Sequence, residues 1–432
     1  MQHEWDFDIS ALIDHVPLPQ VCRVRQLFDR QTIPDLEAHT RAQAEQQLLR
    51  CDISGKTVAI TVGSRGIAGL LQMLRPIIAV LKEKGAIPFI VPAMGSHAGA
   101  TAEGQRQYLK DLGVDETTTG VEIRSSMETV VIGRLEGGVP VYCDKNAASA
   151  DALIVLNKIK PHSNFKGEIE SGLCKMMAVG LGKRDGAAML HSMGYHRFPD
   201  TLQKMARCFL TELHVLFGVG IVENAYDQPM ICEAIEPHRL IQREKELLVL
   251  AKANIPRVQM DHVDVLVVDQ IGKNISGQGM DPNVTGRSGG PLRKAFREDF
   301  VDRIVVLGLT EETHGAFAGL GMSDYSTVRV AKELDFQATY VNEVTSRTTP
   351  PARIPFLTKD DEQAVRLAAY ACDAYSEGEI GLVHIRDTNH LEDIEVSPKA
   401  LAGMMTGTYD FYGEAGPVWY DLAFEHGRLK PI

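Results

Sequence analysis

The chain has 432 residues, of which 44% are hydrophobic and 24% are charged, a composition typical of a well-cored globular protein. At about 150 residues per domain, this length predicts two or three domains. The formal net charge is −12 and lysine and arginine form no dense run, so we expect no nucleic-acid partner.

Nothing in the sequence indicates a membrane partner or an oxidising compartment. The first ten residues, MQHEWDFDIS, are acidic and lack the apolar core of a secretory signal. The longest uncharged stretch, residues 85–102, is interrupted by prolines and glycines and therefore does not predict a membrane span. Seven scattered cysteines without a CxxC motif fit a reduced, cytoplasmic protein and exclude a structural zinc ribbon.

The first part of the chain alternates short apolar runs with helical segments, which is the pattern of a parallel α/β sheet. Strands are predicted at residues 56–62, 87–91 and 152–156. Residues 67–84 place apolar side chains on one helical face, although Pro76 predicts a kink or a break there. Thr101 predicts the start of the next helix, and residues 199–222 form a helical segment with an apolar end.

A second part opens after a charged helix at residues 243–252 and a boundary near residues 256–262. Its predicted strands are residues 263–268, 303–309, 338–342 and 380–385, with a helical segment at 326–334. The predicted fold class is therefore α/β, with two α/β domains of parallel sheets, residues 1–258 and 259–432, and the active site in the cleft between them.

Polar residues follow four of the predicted strands, at the points where the strands end. The loops are residues 63–66, 93–99, 157–162 and 269–274. The carboxyl ends of parallel strands form the edge at which α/β proteins bind ligands. Because these loops carry Arg65, His97, His162 and Lys273, they predict a ligand with anionic character; ordinary connecting loops with capping residues remain the alternative.

Residues 162–191 are rich in glycine and place Lys175 in the apolar stretch SGLCKMMAVGLG. A desolvated lysine is a usable nucleophile or attachment point, whereas a lysine on a helix face simply reaches solvent, and the spacing leaves both readings open. His191 follows 16 residues after Lys175. The nearby GLGKRDG sequence has the wrong spacing for a dinucleotide-binding loop.

Taken in order, these residues resemble the nickel-pincer-nucleotide lactate racemases and their homologues. Arg65 resembles the substrate-site arginine of that family, His97 in Gly-Ser-His the histidine of a Gly-Thr-His motif, and His162 the second catalytic histidine. The run Ser171-Gly172-Leu173-Cys174-Lys175 resembles a Ser-Gly-Gly-Gly-Lys segment whose lysine is joined to the cofactor. His191 resembles the histidine that binds nickel, and Gln270 with Lys273 resembles a Gln-x-x-Lys pair that meets the substrate.

The resemblance implies an isomerase, a racemase or epimerase of a lactate-like or sugar 2-hydroxy acid, that works by reversible hydride transfer through a 2-keto acid. It implies the nickel-pincer nucleotide (nickel pyridinium-3,5-bisthiocarboxylic acid mononucleotide) as cofactor and nickel as metal. The implied catalytic residues are His97 and His162. The implied cofactor contacts are Lys175, Arg65, Ser171 and Gly172, with nickel on His191, and the implied substrate contacts are Arg65, Gln270 and Lys273.

Two other functions remain open from the sequence. A zinc hydrolase could use His97, His162 and His191 around a bound water, but it would leave Lys175 without a role. A non-catalytic sugar-acid-binding protein would need only the cations at the sheet edge. For the racemase we expect a small-molecule hydroxy acid as partner, no nucleic acid and no membrane, with a homodimer as the candidate assembly.

Overall fold

A computed structural model of the protein describes residues 7–64, 66–290, 292–346, 348–413 and 416–432, without the side chains of residues 345 and 346. The chain divides into two compact units. The first unit comprises Asp29–His162 and Lys166–Ile255, and the second comprises the segment up to Phe28, Ser163–Phe165 and Pro256–Ile432.

Within the described ranges, helices and strands follow one another throughout the chain. The helices are α1 (Ser10–Ile13), α2 (Leu36–Leu48), α3 (Leu70–Glu83), α4 (Ala102–Asp111), α5 (Glu116–Thr119), α6 (Lys145–Ala148), α7 (Leu173–Lys175), α8 (Lys183–Ser192), α9 (Phe198–Glu212), α10 (Leu240–Asn254), α11 (Pro282–Thr285), α12 (Val328–Ala331), α13 (Phe336–Ser346), α14 (Asp361–Ala371) and α15 (Pro398–Ala402). The strands are β1 (Cys22–Gln26), β2 (Thr57–Val62), β3 (Ile87–Pro92), β4 (Thr129–Arg134), β5 (Pro140–Asp144), β6 (Ala152–Lys158), β7 (Val215–Glu223), β8 (Pro229–Ile235), β9 (Val263–Val268), β10 (Val301–Val306), β11 (Tyr325–Thr327), β12 (Phe356–Thr358), β13 (Leu382–Ile385), β14 (Asp393–Val396), β15 (Tyr409–Phe411), β16 (Phe424–Glu425) and β17 (Arg428–Leu429).

The first unit is built on a five-stranded sheet in the order β3-β2-β6-β7-β8, parallel except for the β7–β8 pair. Strands β2, β3 and β6 confirm the predicted strands of this part. Helix α3 buries Met73, Leu74 and Ile77 against the sheet and continues through Pro76, which is itself buried, so the expected break is absent. The apolar packing of this face outweighs the hydrogen bond that proline cannot donate.

The second unit contains an eight-stranded mixed sheet in the order β12-β11-β10-β9-β13-β14-β1-β15. Strands β9 to β13 are parallel, and β14, β1 and β15 run antiparallel to their neighbours. Because β1 pairs with both β14 and β15, the N-terminal segment belongs to this unit. The compact units therefore differ there from the division into 1–258 and 259–432, and a cleft between two such domains stays a prediction.

The α/β class is confirmed, while three local predictions are wrong. Residues 338–342 lie in helix α13 rather than in a strand, because Asp335 caps that helix through Ala338 N–H (2.9 Å). The apolar end of the 199–222 segment is strand β7, and the 326–334 segment begins with strand β11. Across the described ranges, none of the helices combines the length and the hydropathy that a bilayer span requires.

A charged histidine lies inside the second unit. His384 of β13 is fully buried, with Nε2 2.7 Å from Asp269 Oδ1 and Nδ1 2.8 Å from Glu395 Oε2. Burial opposes a charged imidazole, but the hydrogen bonds to both carboxylates outweigh it and raise the pKa of His384 to about 9.

The buried imidazolium makes stability pH-dependent above neutrality. A histidine whose pKa rises from 6.5 in the unfolded chain to about 9 in the folded one contributes stability that is complete below pH 6.5 and lost as pH rises through 9. The free energy of unfolding should therefore fall by roughly 3 kcal/mol over this range, measured by urea denaturation at a series of pH values. His384→Gln should lack this slope, whereas the control His238→Gln, at an exposed position, should keep it. An unchanged slope in His384→Gln would contradict the assignment.

Candidate functional site

Three of the four predicted loops meet at one edge of the sheet in the first unit. Strands β3, β2 and β6 are parallel neighbours, so the loops that follow them, residues 93–97, 63–64 and 157–162, leave the sheet side by side. A Cβ atom on Gly63 would lie 2.7 Å from Met176 Cε and 3.6 Å from Asn157 Oδ1. The segment that carries Lys175 therefore packs directly against this edge.

Lys175 ends α7, a π-helical segment follows at Met176–Leu181, and α8 then carries His191. π-Helical turns are rare and occur frequently at functional sites. Lys175 is half-buried between two fully or almost fully buried neighbours, Cys174 and Met176. Lys175 thus belongs to a largely internal helical element and not to a surface loop.

Polar side chains and backbone bonds fix the start of this segment. Asn157 donates from Nδ2 to the carbonyl of Gly172 (2.9 Å), and Lys160 and Ser171 exchange backbone hydrogen bonds of 2.9 and 3.2 Å. Glu244 of α10 is fully buried and accepts the N–H of Cys174 at Oε2 (2.8 Å). Burial raises the pKa of Glu244 to about 7. Ser171 and Gly172, both predicted cofactor contacts, therefore lie beside the end of β6.

The loop that carries His97 packs on the π-helical segment. Gly95 donates its N–H to Gly180 O (3.1 Å), and Gln105 of α4 donates from Nε2 to Gly95 O (2.9 Å). His97 itself is exposed, and its N–H bonds to Met94 O (3.1 Å). The loop is therefore fixed by its backbone while the histidine side chain reaches outward.

A buried carboxylate holds the backbone at His162. Glu170 Oε2 accepts the N–H of His162 (2.6 Å), and its Oε1 accepts the N–H of Gly167 (3.0 Å). The Nζ atom of Lys252 lies 2.6 Å from Oε1 and neutralises the charge. Since Glu170 is fully buried, it can move little, and His162 is positioned accordingly.

His191 packs its imidazole edge-on against the rings of Tyr195 and Phe198, with centroid distances of 5.4 and 5.3 Å. These contacts fix the plane of the ring, as a metal ligand requires.

The histidines of the first unit do not form a ready-made zinc site. Among the described residues, the three-ligand group whose atoms lie within 4.8 Å of one another is His262, Asp264 and Asp302 of the second unit. In the part of the chain that the structure describes, His97, His162 and His191 do not form such a group.

The predicted substrate contacts of the second unit follow β9. Gln270 donates from Nε2 to Asp387 Oδ2 (3.3 Å), and Asp387 is fully buried and lies 2.8 Å from His390 Nδ1. Lys273 is exposed, and its N–H bonds to Thr313 Oγ1 (3.4 Å). Both residues stand at the carboxyl edge of the second sheet. Arg65, the remaining predicted contact, lies outside the described residues.

Sequence reasoning missed the buried charged residues that hold the site. Besides Glu170 and Glu244, these include Lys183, whose Nζ lies 3.1 Å from Asp144 Oδ2 in a pair with no exposed side-chain surface. Burial lowers the pKa of Lys183 and raises that of Asp144. The sequence signal for this pair is the charge of Lys183 inside GLGKRDG, a run whose spacing does not fit a dinucleotide-binding loop.

The protein is therefore an α/β protein, and its candidate site lies at the carboxyl ends of the parallel strands β3, β2 and β6. Residues 46–197 match the model for the lactate racemase N-terminal domain family. This segment contains His97, His162, Lys175 and His191. Residues 46–197 are therefore similar to the lactate racemase N-terminal domain.

Solved structures also resemble this chain. A crystal structure of a Thermotoga maritima protein is 13% identical, with 84% of this chain and 99% of that chain covered and a TM-score of 0.52, so the two share a fold. The lactate racemase apoprotein of Thermoanaerobacterium thermosaccharolyticum is 13% identical, with 85% and 99% covered and a TM-score of 0.49. No curated protein matches the sequence.

Gly172 tests the packing at the start of the Lys175 segment. A Cβ atom there would lie 2.1 Å from Glu244 Oε1 and 2.7 Å from its Cδ, and moving the buried glutamate aside would strain its hydrogen bond with the N–H of Cys174. Gly172→Ala should therefore lower the free energy of unfolding by about 1–3 kcal/mol, seen as a lower melting temperature. The control is Gly66→Ala, since nothing lies within 4 Å of that position. Equal melting temperatures for both variants would refute the close contact.

Proposed function

We propose that this protein is a racemase or epimerase that interconverts stereoisomers of a lactate-like or sugar 2-hydroxy acid. One observation carries the proposal. Within the segment that matches the lactate racemase N-terminal domain, the loops of His97 and His162 and the segment of Lys175 occupy the same sheet edge. Racemisation of a hydroxy acid needs acid–base groups and a cofactor that accepts hydride, and this edge carries the two proposed bases and the proposed attachment lysine.

The cofactor in this proposal is the nickel-pincer nucleotide, joined to Lys175 and bound through nickel by His191. The residues fit it: Lys175 is half-buried on a packed segment, and two aromatic rings orient the imidazole of His191. Ser171 and Gly172, which precede Lys175 in the same segment, and Arg65 are further proposed contacts. When bound, this group supplies a reversible acceptor for the hydride on the substrate Cα.

His97 and His162 are proposed as the two proton-transfer groups. The Cα hydrogen beside a carboxylate is too weakly acidic to leave as a proton, so it leaves as hydride. The hydroxyl proton must leave at the same time, and the product is a flat 2-keto acid. A histidine accepts that proton, and a histidine on the other face returns one when the opposite stereoisomer forms. The strand order supports this proposal, because β2 lies between β3 and β6, so the loops that carry the two histidines leave the sheet on opposite sides of that strand.

Arg65, Gln270 and Lys273 are proposed to bind the substrate carboxylate. Cations and an amide donor that hold this end of the molecule would leave the keto carbon free to present either face. The buried Asp387 beside Gln270 favours the orientation of its amide, because it accepts from Nε2.

The covalent link is tested on protein co-produced with the enzymes that make the cofactor. The peptide that contains Lys175 should carry an added mass, and metal analysis should find nickel. Lys175→Ala should lose the added mass, His191→Ala should lose nickel, and the control Lys204→Ala, on an exposed face of α9, should change neither. Zinc without an added mass would support the hydrolase instead, and neither signal would support a binding protein.

The two-base arrangement is tested by a single turnover with each pure enantiomer, in which the 2-keto acid is trapped and quantified. His97→Ala and His162→Ala should each oxidise one enantiomer normally and the other about 10²–10⁴-fold more slowly, with opposite preferences. Both variants should slow complete racemisation in both directions, because the cycle uses both histidines. Loss of the same enantiomer in both variants would indicate a single base.

A further inference from the structure

Lys183 stands at the junction of the two segments that carry Lys175 and His191. It is the first residue of α8 and has φ of +54°, which is uncommon for a residue with a side chain. Gly182 before it packs so tightly that a Cβ atom would lie 2.3 Å from Ala178 O. The backbone at this junction is therefore constrained, and the Lys183 side chain leaves it in a set direction toward the interior.

The Lys183 ammonium is buried and meets three acceptors on three different elements. It donates to Pro92 O at the end of β3 (2.5 Å) and to Gln105 Oε1 on α4 (2.9 Å), and it pairs with Asp144 Oδ2 at the end of β5 (3.1 Å). Two of the ammonium protons therefore have hydrogen-bond acceptors, and Asp144 supplies the opposite charge at ion-pair distance.

Gln105 continues the connection to the loop of His97. While its Oε1 accepts from Lys183, its Nε2 donates to Gly95 O (2.9 Å) and more weakly to His97 O (3.4 Å). Since Gln105 is fully buried, the amide cannot exchange these partners for water. Lys183 thus acts on the His97 loop at both ends: directly at Pro92, and through Gln105 at Gly95 and His97.

We propose that Lys183 is a positioning residue for His97, which it sets relative to the Lys175 and His191 segments through Pro92 and Gln105. The contacts are independent of the proposed function, whereas the expected effect of Lys183 on catalysis rests on it. Stability alone would not require the pair, because well-packed apolar residues in place of a buried ion pair are often equally or more stable.

The test removes both charges together. In K183M/D144N no unpaired charge is left behind, and the amide that replaces the Asp144 carboxylate retains an oxygen for the N–H groups of Asn146 and Ala147, which bond to Asp144 Oδ1. Amide hydrogen exchange of residues 93–101 in the protein without cofactor should become about tenfold to hundredfold faster, while exchange in β7 stays unchanged. The matched control K204M/D200N removes an exposed lysine–aspartate pair and should change neither segment.

A second variant isolates the connection itself. Q105M leaves Lys183 paired with Asp144 and removes only the amide, so residues 93–101 should again exchange faster, even if K183M/D144N does not fold. In the loaded enzyme, Q105M should lower kcat about tenfold to hundredfold with KM changed by less than about threefold, because a displaced base slows chemistry more than binding.

The exchange experiment separates this proposal from the proposed function. Unchanged exchange of residues 93–101 in a folded Q105M, or a uniform increase in every segment, would overturn the positioning role even if the protein racemises hydroxy acids. Selective loosening of residues 93–101 would support the structural link even if no racemase activity is found, and the kcat effect would then establish its role in catalysis.

Discussion

The candidate site depends on buried charges that bind the backbone where strands end. Where the chain leaves a strand inside the protein, its backbone N–H and C=O groups no longer bond to a neighbouring strand. These groups then need other hydrogen-bond partners. Glu170 accepts the N–H of His162, Glu244 accepts the N–H of Cys174, and Lys183 donates to the carbonyl of Pro92. The candidate segments that carry His97, His162 and Lys175 are thus each held by a side chain that no solvent reaches.

Such charges are a costly way to stabilise a fold and an effective way to fix a position. Desolvation offsets much of the attraction within a buried pair, whereas loss of one partner typically costs about 3–5 kcal/mol. Glu170 is neutralised by Lys252, and Lys183 by Asp144, so each charged group that bonds a loop has a partner of opposite charge. In the second unit, His384 is likewise held between two carboxylates, those of Asp269 and Glu395. Asp269 directly precedes Gln270 in the chain.

Close backbone packing completes this arrangement. A Cβ atom on Gly180 would lie 2.7 Å from Ala93 O, and one on Gly95 would lie 3.2 Å from Val179 O. Gly180 therefore permits the approach of the His97 loop to the π-helical segment, whereas Gly172 and Gly182 permit close contacts with Glu244 and Ala178. The glycines of this segment thus serve close packing and not the spacing of a nucleotide-binding loop.

The sequence by itself determined the α/β class and most strands, because runs such as Val263–Val268 are apolar and β-branched along most of their length and end in polar residues. It also named His97, His162 and Lys175, whose residue types and order carry their own chemical meaning. Where local preference and tertiary contacts disagree, it failed: Thr339, Tyr340 and Val341 favour a strand, but residues 338–342 are helical.

Only the tertiary structure decided what holds the site together. The pairing of β1 with β14 joins the two ends of the chain, and no local pattern predicts a partner so distant. Lys183 bonds to Pro92 across 91 positions, and Glu244 bonds to Cys174 across 70. A charged residue in an apolar stretch shows that a partner must exist, since an unpaired buried charge is too unfavourable to persist. Which partner it finds depends on how the elements pack, and that is a property of the folded chain alone.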